Sequence, residues 1–384
     1  MPQPKYYFWN LESIRFIAVM MVFCQHGFYN SIAYLNIEGT FLERILQLIC
    51  DGGIGVSIFF VLSGFLITYL LVSEYEQQQK ISISKFYIRR ILRIWPLFFI
   101  VICFSFFIYP NLKELFGYSS PKFYNWLYHV TFLSNFDILR IQRDHFGSDA
   151  LINNITWSVS IEEQFYLFWP LLFLLNKRFW LSAIITMITF SLTFRIINHQ
   201  DSLILYFHTF SVLIDLAVGA LFAYLVIFNK RVRNFFIKSN TPEHAILFVC
   251  SFGLLFYIHY FYSPLQTAIL RLASALIFGA IISAQALTQN NSILNLEKLR
   301  VAAFFGKYTY GIYLLHPIGL LLVDVSLRVM GFTTHNFLTS ISVGLLGLAI
   351  TLVMSMLSHH YFELPFLKLK DKFSIVRMPE KKVS

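Results

Sequence analysis

Long apolar runs recur from one end of this sequence to the other, and they constrain its fold more than any other feature. Stretches 11–30, 51–73, 91–109, 157–176, 179–197, 204–228, 244–262, 266–287, 306–328 and 338–360 each approach or exceed the length at which a helix crosses a bilayer, about 20 residues. In hydrocarbon every backbone N–H and C=O must be satisfied within the segment, so such runs fold as helices. The expected fold class is all-α: a polytopic transmembrane bundle of about ten helices with no soluble domain. A weaker stretch, 124–139, is short and is interrupted by His129 and Asn135. It reads as re-entrant or interfacial, and counting it as a span gives eleven.

Composition agrees. Charged residues make up 13% of the chain and hydrophobic residues 57%, whereas a soluble domain carries about 25% charged residues. The mean hydropathy is +0.64. Cys24, Cys50, Cys103 and Cys250 are scattered in or beside apolar runs and form no CxxC pair. They read as small packing residues, with neither a disulfide framework nor a metal site. The net charge of +10 raises the question of nucleic acid. The basic residues lie between apolar spans, however, which is the pattern of cytoplasmic loops.

Lysine and arginine also orient the chain. With the N-terminus inside and ten spans, about two-thirds of the 30 fall on the inner side. Only Arg44, Lys113, Lys122, Arg140 and Arg143 lie outside, and Arg15, Arg93, Arg195, Arg271 and Arg328 lie within spans. Both termini are therefore expected in the cytoplasm. The expected organisation is a cytoplasmic N-terminus over 1–10, a transmembrane domain over 11–362 and a cytoplasmic basic tail over 363–384. The run 11–30 reads as a retained first helix, not a signal peptide, because Arg15 and His26 interrupt it.

Charged and titratable side chains are costly at membrane depth, so each is a functional candidate with structural pairing as the alternative. Arg15 and His26 are eleven positions apart, about three helical turns, and so share a face roughly 16 Å apart along the axis. His26 is either a general base or a core histidine bonded to a neighbouring helix. Arg89, Arg90 and Arg93 form one patch at the inner end of the third span. Guanidinium groups in such a patch suit phosphates, with positive-inside anchoring as the alternative.

Glu162 and Glu163 enter the fourth span together, where one is expected to face inward to orient an imidazole or hold an acceptor. Favourable placement near a helix N-terminus is the alternative. Asp51 to Ser57, with Ser63-Gly64 beyond, is rich in small residues and suits close packing or ligand approach. His316 serves catalysis or packing, and Glu363 stands near enough to the inner face to pair with the arginines. Asp215, Asp324, Arg195, Arg271 and Arg328 default to structural pairs. No GxSxG, HExxH or Walker A motif occurs, which removes support for serine-triad hydrolysis, zinc proteolysis and ATP-driven pumping.

Taken together, these motifs resemble acyltransferase family 3, the bacterial membrane acyltransferases that modify cell-surface sugars. The resemblance covers roughly residues 8 to 370. It rests on Arg15 with His26, Gly53 to Thr68, Arg89-Arg90 with Arg93, Trp157-Ser158 with Glu162 to Tyr166, Tyr313 to His316, and Phe362 to Pro365. It implies about ten helices, an acyl-CoA donor (acetyl-CoA for preference) taken from the cytoplasm, and an acceptor on the far side. It also implies His26 as the catalytic histidine supported by Arg15, and Arg89, Arg90 and Arg93 on the donor's phosphates. Glu12 stands where many members carry Asp, which keeps the charge. The hydrolase-like domain fused to some members does not appear, which leaves the acceptor unconstrained or calls for a partner to deliver the acyl group.

The expected reaction is transfer of an acyl group to a hydroxyl of a cell-surface glycan or a lipid-linked sugar, with no metal. It proceeds either directly or through an acyl-histidine. A transporter or flippase of a surface-sugar precursor is the rival class.

Overall fold

The computed structural model describes residues 9–115, 124–143, 151–261, 263–287, 294–332 and 336–374. Among them there is no β-strand. Ten long helices carry the fold: α1 (Trp9–Gly27), α2 (Gly52–Gln78), α3 (Ile83–Cys103), α4 (Thr156–Leu172), α5 (Trp180–Ile197), α6 (Thr209–Phe228), α7 (Thr241–Phe261), α8 (Pro264–Leu287), α9 (Thr309–Val329) and α10 (Phe337–Leu357). Among the described residues, eight helices are long and apolar enough to cross a membrane. A ninth span results if Asn10–Gly27 and Tyr29–Leu35, bent by 59°, count as one. The expected span 157–176 is α4, which has 17 residues and ends at Leu172. The architecture is the expected membrane bundle, with its first span broken and its fourth shorter than the hydropathy suggested.

The stretch 124–139 does not form a single helix. Helices Trp126–Val130 and Ser134–Arg143 are separated by Phe132, whose φ of 56° ends the first. The segment packs into the bundle instead of crossing it. Asn135 Nδ2 donates to the Phe207 carbonyl and to Thr209 Oγ1, and Gln164 Nε2 donates to the Phe132 carbonyl. It therefore buttresses α4, the helix that carries the two adjacent acids.

The core holds α2 against α6. Gly64 on α2 and Gly219 on α6 make the crossing possible, because each faces the other helix's backbone. A Cβ at Gly64 would collide with the Leu216 carbonyl oxygen, and one at Gly219 with the Val61 carbonyl oxygen. Small residues at a crossing are how membrane helices approach closely. Around this pair, α1 packs on α2, α5 on α6, and α10 on α9. Outward faces keep large apolar side chains exposed, among them Phe168, Val249 and Leu338, as lipid contact requires.

Most buried charges outside the candidate site are paired. Asp215 accepts from Ser57 Oγ at 3.0 Å and from Arg271 Nε at 3.0 Å. On an exposed face, Arg328 pairs with Asp324 at 2.9 Å. Arg195 has no acid partner and donates instead to the Ala268 and Leu205 carbonyls and to Ser211 Oγ. Overpacking a close helix crossing costs about 1–3 kcal/mol. Gly64→Val and Gly219→Val should each lower the thermal midpoint of the detergent-solubilised protein, measured by tryptophan fluorescence. Gly253→Ala, at a position with open space around it, should leave it unchanged.

Candidate active site

Five helices build one polar cavity of about 130 Å³ in the middle of the bundle. Their side-chain periodicity decides what faces it. On α4, Ser158, Glu162 and Tyr166 follow one another at intervals of four and form a single stripe along the wall, as i,i+4 neighbours do. On α2 the stripe is Val56, Phe59, Ser63 and Ile67. On α3 it is Arg90, Arg93 and Ile94, on α9 Thr309, Tyr310 and Tyr313, and α1 supplies Arg15. Lys307, just before α9, adds a further cation.

The acids divide their work. Glu162 faces the cavity, where it accepts from Ser63 Oγ at 2.7 Å and from Tyr166 Oη at 3.0 Å. Glu163 is turned away by one residue's rotation and accepts from Trp95 Nε1 at 2.9 Å. Neither touches His26, so the expectation that one of them orients the imidazole is not what the structure shows.

The arginines divide as well. Arg90 lies over the rings of Phe86 and Tyr166, 5.6 and 5.7 Å from their centroids, and its Nε has no hydrogen-bond partner. Arg93 lines the cavity and makes no hydrogen bond or ion pair with any described residue. Arg89 lies off the cavity wall, 3.6 Å from the buried Glu74, and donates to the Phe373 carbonyl at 2.9 Å. It ties α2 and α3 to the C-terminal segment. Arg15 pairs with Glu12 at 2.6 Å on the cavity wall, three turns from His26. Glu363 accepts from Ser358 Oγ at 2.8 Å and forms no ion pair with the arginines.

His26, near the end of α1, is half-buried and does not line this cavity. Its Nδ1 lies 3.0 Å from Nε2 of the fully buried His316 on α9. The His26 ring also meets the Val22 carbonyl one turn back, and among the described residues no side chain bonds its Nε2. Tyr313, one turn before His316, stands between the pair and the cavity. Its hydroxyl meets Ser158 Oγ at 2.5 Å and donates to the Ile155 carbonyl at 3.0 Å. The site is thus a cation-rich cavity, a tyrosine–serine contact at its end, and two histidines beyond. Among the described residues, no three His, Cys, Asp or Glu side chains gather as metal ligands.

Comparison with known proteins fits this geometry. The family model for the acyltransferase domain of acyltransferase family 3 matches residues 8–359. The chain belongs to this family. It is similar to the peptidoglycan O-acetyltransferase OatA of Listeria monocytogenes, 30% identical over 381 residues, covering 94% of this chain and 56% of the relative. It is also similar to the putative peptidoglycan O-acetyltransferase YrhL of Bacillus subtilis, 28% identical over 379 residues, covering 93% and 54%. The O-acetyltransferase OatA of Staphylococcus aureus is 32% identical over 193 residues, covering 47% and 31%. The chain thus spans about half the length of the first two of these relatives. No solved structure gives a significant match. As a family member with this set of apolar helices, the chain is a multi-pass bacterial membrane protein.

Sequence reasoning left several site residues without a role. Tyr166 was legible as the i+4 neighbour of Glu162, and Tyr313 as the residue one turn before His316. Ser158 was legible in the same way, four residues before Glu162, whereas nothing in the spacing marked Lys307 as a wall residue. A positively charged cavity concentrates anions, by about 10-fold or more. In a cysteine-free background, Ser63→Cys should therefore react at least about tenfold faster with an anionic methanethiosulfonate reagent than with a cationic one. Leu71→Cys, fully buried among apolar side chains, should react with neither.

Proposed function

We infer that this chain is a membrane O-acyltransferase. It moves an acyl group, acetyl for preference, from cytoplasmic acyl-CoA to a hydroxyl of a glycan on the far side of the membrane. The relatives' names make peptidoglycan the leading acceptor. The observation that carries this reading is a pair of cavity-lining arginines, Arg90 and Arg93, that form no ion pair with any described residue, at a cavity whose far end, Tyr313, adjoins His316.

Arginines left without an ion pair in a bundle this apolar call for an anionic ligand. Arg90 and Arg93, with Lys307 and Arg15 nearby, would bind the donor's phosphates. The cavity of about 130 Å³ suits a small acyl group, and a donor's arm would have to widen it. For comparison, an apolar cavity of about 150 Å³ holds one benzene. Glu162, held by Ser63 and Tyr166, gives the wall a fixed acceptor for the amides of such an arm. Tyr313 and Ser158 would separate to let the acyl carbonyl reach His26.

At His26, Nε2 takes the proton of the acceptor hydroxyl while that oxygen attacks the acyl carbonyl carbon. The C–S bond breaks, and the leaving thiolate collects the proton. General-base assistance of this kind contributes about 10²–10⁴-fold. The orientation, donor site inside and acceptor outside, follows the distribution of Lys and Arg along the chain.

Two measurements test this reading in proteoliposomes supplied with labelled acetyl-CoA and a peptidoglycan fragment. His26→Ala should lower transfer by about 10²-fold or more. Arg93→Ala should raise the KM for acetyl-CoA about tenfold or more with little change in kcat, as loss of uniform binding does, while Arg89→Ala should leave that KM nearly unchanged. Movement of unmodified glycan across the membrane without any need for acetyl-CoA would instead identify a transporter.

A further inference from the structure

The helix that carries His316 contains a proline immediately after it. In a regular helix the Tyr313 carbonyl would accept from the N–H of the residue four positions on, which is Pro317. Proline has no N–H. The Tyr313 carbonyl is thus an orphan acceptor in a buried segment, and buried backbone acceptors find partners. His316 supplies one. Its Nδ1 lies 2.7 Å from the Tyr313 oxygen.

That contact settles the protonation of two rings. A carbonyl oxygen only accepts, so His316 Nδ1 must carry a hydrogen; a lone pair there would face the oxygen's lone pairs. A neutral His316 then has its free lone pair on Nε2. His26 Nδ1 sits 3.0 Å from that atom and must be the donor. The Val22 carbonyl one turn back also bonds this ring and likewise calls for an N–H at the nearer nitrogen, so Nε2, to which no side chain among the described residues bonds, is left with the lone pair. The His316 ring is fixed edge-on to Phe23 and Tyr313, with centroids 6.1 and 6.0 Å away.

Resting on the catalytic reading of His26 given above, we propose that His316 is the positioning residue of this centre, locked into the Nδ1–H form by the Tyr313–Pro317 gap and thereby committing His26 Nε2 as the basic atom. His316 does the job that a carboxylate does in a serine-protease triad, but as a neutral group. A neutral orienter suits a site at membrane depth, where an added carboxylate would bring an uncompensated charge. When His26 Nε2 receives the acceptor's proton, the positive charge is shared along the Nδ1–H···Nε2 bond. The bridging proton can pass to His316 Nε2 and return as the thiolate collects the proton from His26 Nε2, so no proton is gained or lost over the cycle.

The test uses the full chain in lipid nanodiscs. Gln and Met match in length, but only Gln places an acceptor oxygen where His316 Nε2 stands. His316→Met should lower kcat about 10²-fold with the donor KM nearly unchanged, whereas His316→Gln should keep kcat within about tenfold of the parent, in line with typical losses of an orienting partner. Histidine ring ¹⁵N spectra, assigned by difference against His26→Ala, should show His26 protonated at Nδ1 in the parent protein. They should show it losing that preference in His316→Met. Pro317→Ala, which restores an N–H for the Tyr313 carbonyl, should loosen the same preference.

Full activity in a folded His316→Met, or a parent spectrum showing His26 protonated at Nε2, would overturn the proposal. Because the spectra need no turnover, they stand even if His26→Ala retains transfer, which would defeat the catalytic reading instead.

Discussion

The low polarity of the bundle interior governs where this protein can keep a charge. An ion buried without a partner costs several kcal/mol, so every ionisable side chain in the helices has to be paired, shielded by carbonyls or wetted by a cavity. Asp215 with Arg271, Asp324 with Arg328 and Glu74 with Arg89 take the first route. Arg195 takes the second. Arg90 and Arg93 take the third, and the cavity they line is where an anion would complete the charge balance. The division between paired and cavity-lining arginines follows from this sorting.

Packing then sets the geometry of the site. The two glycines at the α2–α6 crossing bring Ser63 and its stripe into a fixed position beside α4. The buttress from residues 124–143 anchors α4 from the other side through Gln164. Glu162 is thereby held by two hydroxyls. The break in α1 after Gly27 ends the first helix just beyond His26. There Nδ1 of His26 is engaged by His316.

Much of this was legible in the sequence, because periodicity and burial cost act locally. Ten apolar runs announced the ten long helices. Arg90 and Arg93 stood out by spacing, and the default pairing of Asp215 and Asp324 with arginines is what the helices form. The shortfalls were long-range. Glu162 and Glu163 were indistinguishable because adjacent residues on a helix differ only in which neighbour they meet, and that neighbour, Ser63 or Trp95, is about 100 or 70 positions away. Arg89 shared the patch's spacing, but its partner Glu74 lies across a turn that spacing does not reveal. Arg15 and His26 do share a helix, but only Arg15 lines the cavity. His316 was legible only as a histidine before a proline; the gap that this proline leaves in the backbone becomes meaningful once His26 is seen facing it.

The central claim is that one molecule of donor, seated on Arg90 and Arg93, presents its acyl carbon to His26 through the contact between Tyr313 and Ser158. A cryo-EM map of the protein with a non-hydrolysable acetyl-CoA analogue tests this most directly. The account predicts phosphate density against Arg90 and Arg93, a displaced Tyr313 hydroxyl, and the carbonyl carbon within about 4 Å of His26 Nε2, near attack distance. An analogue bound elsewhere, or seated on the arginines with Tyr313 still bonded to Ser158 and no density beyond it, would contradict the account.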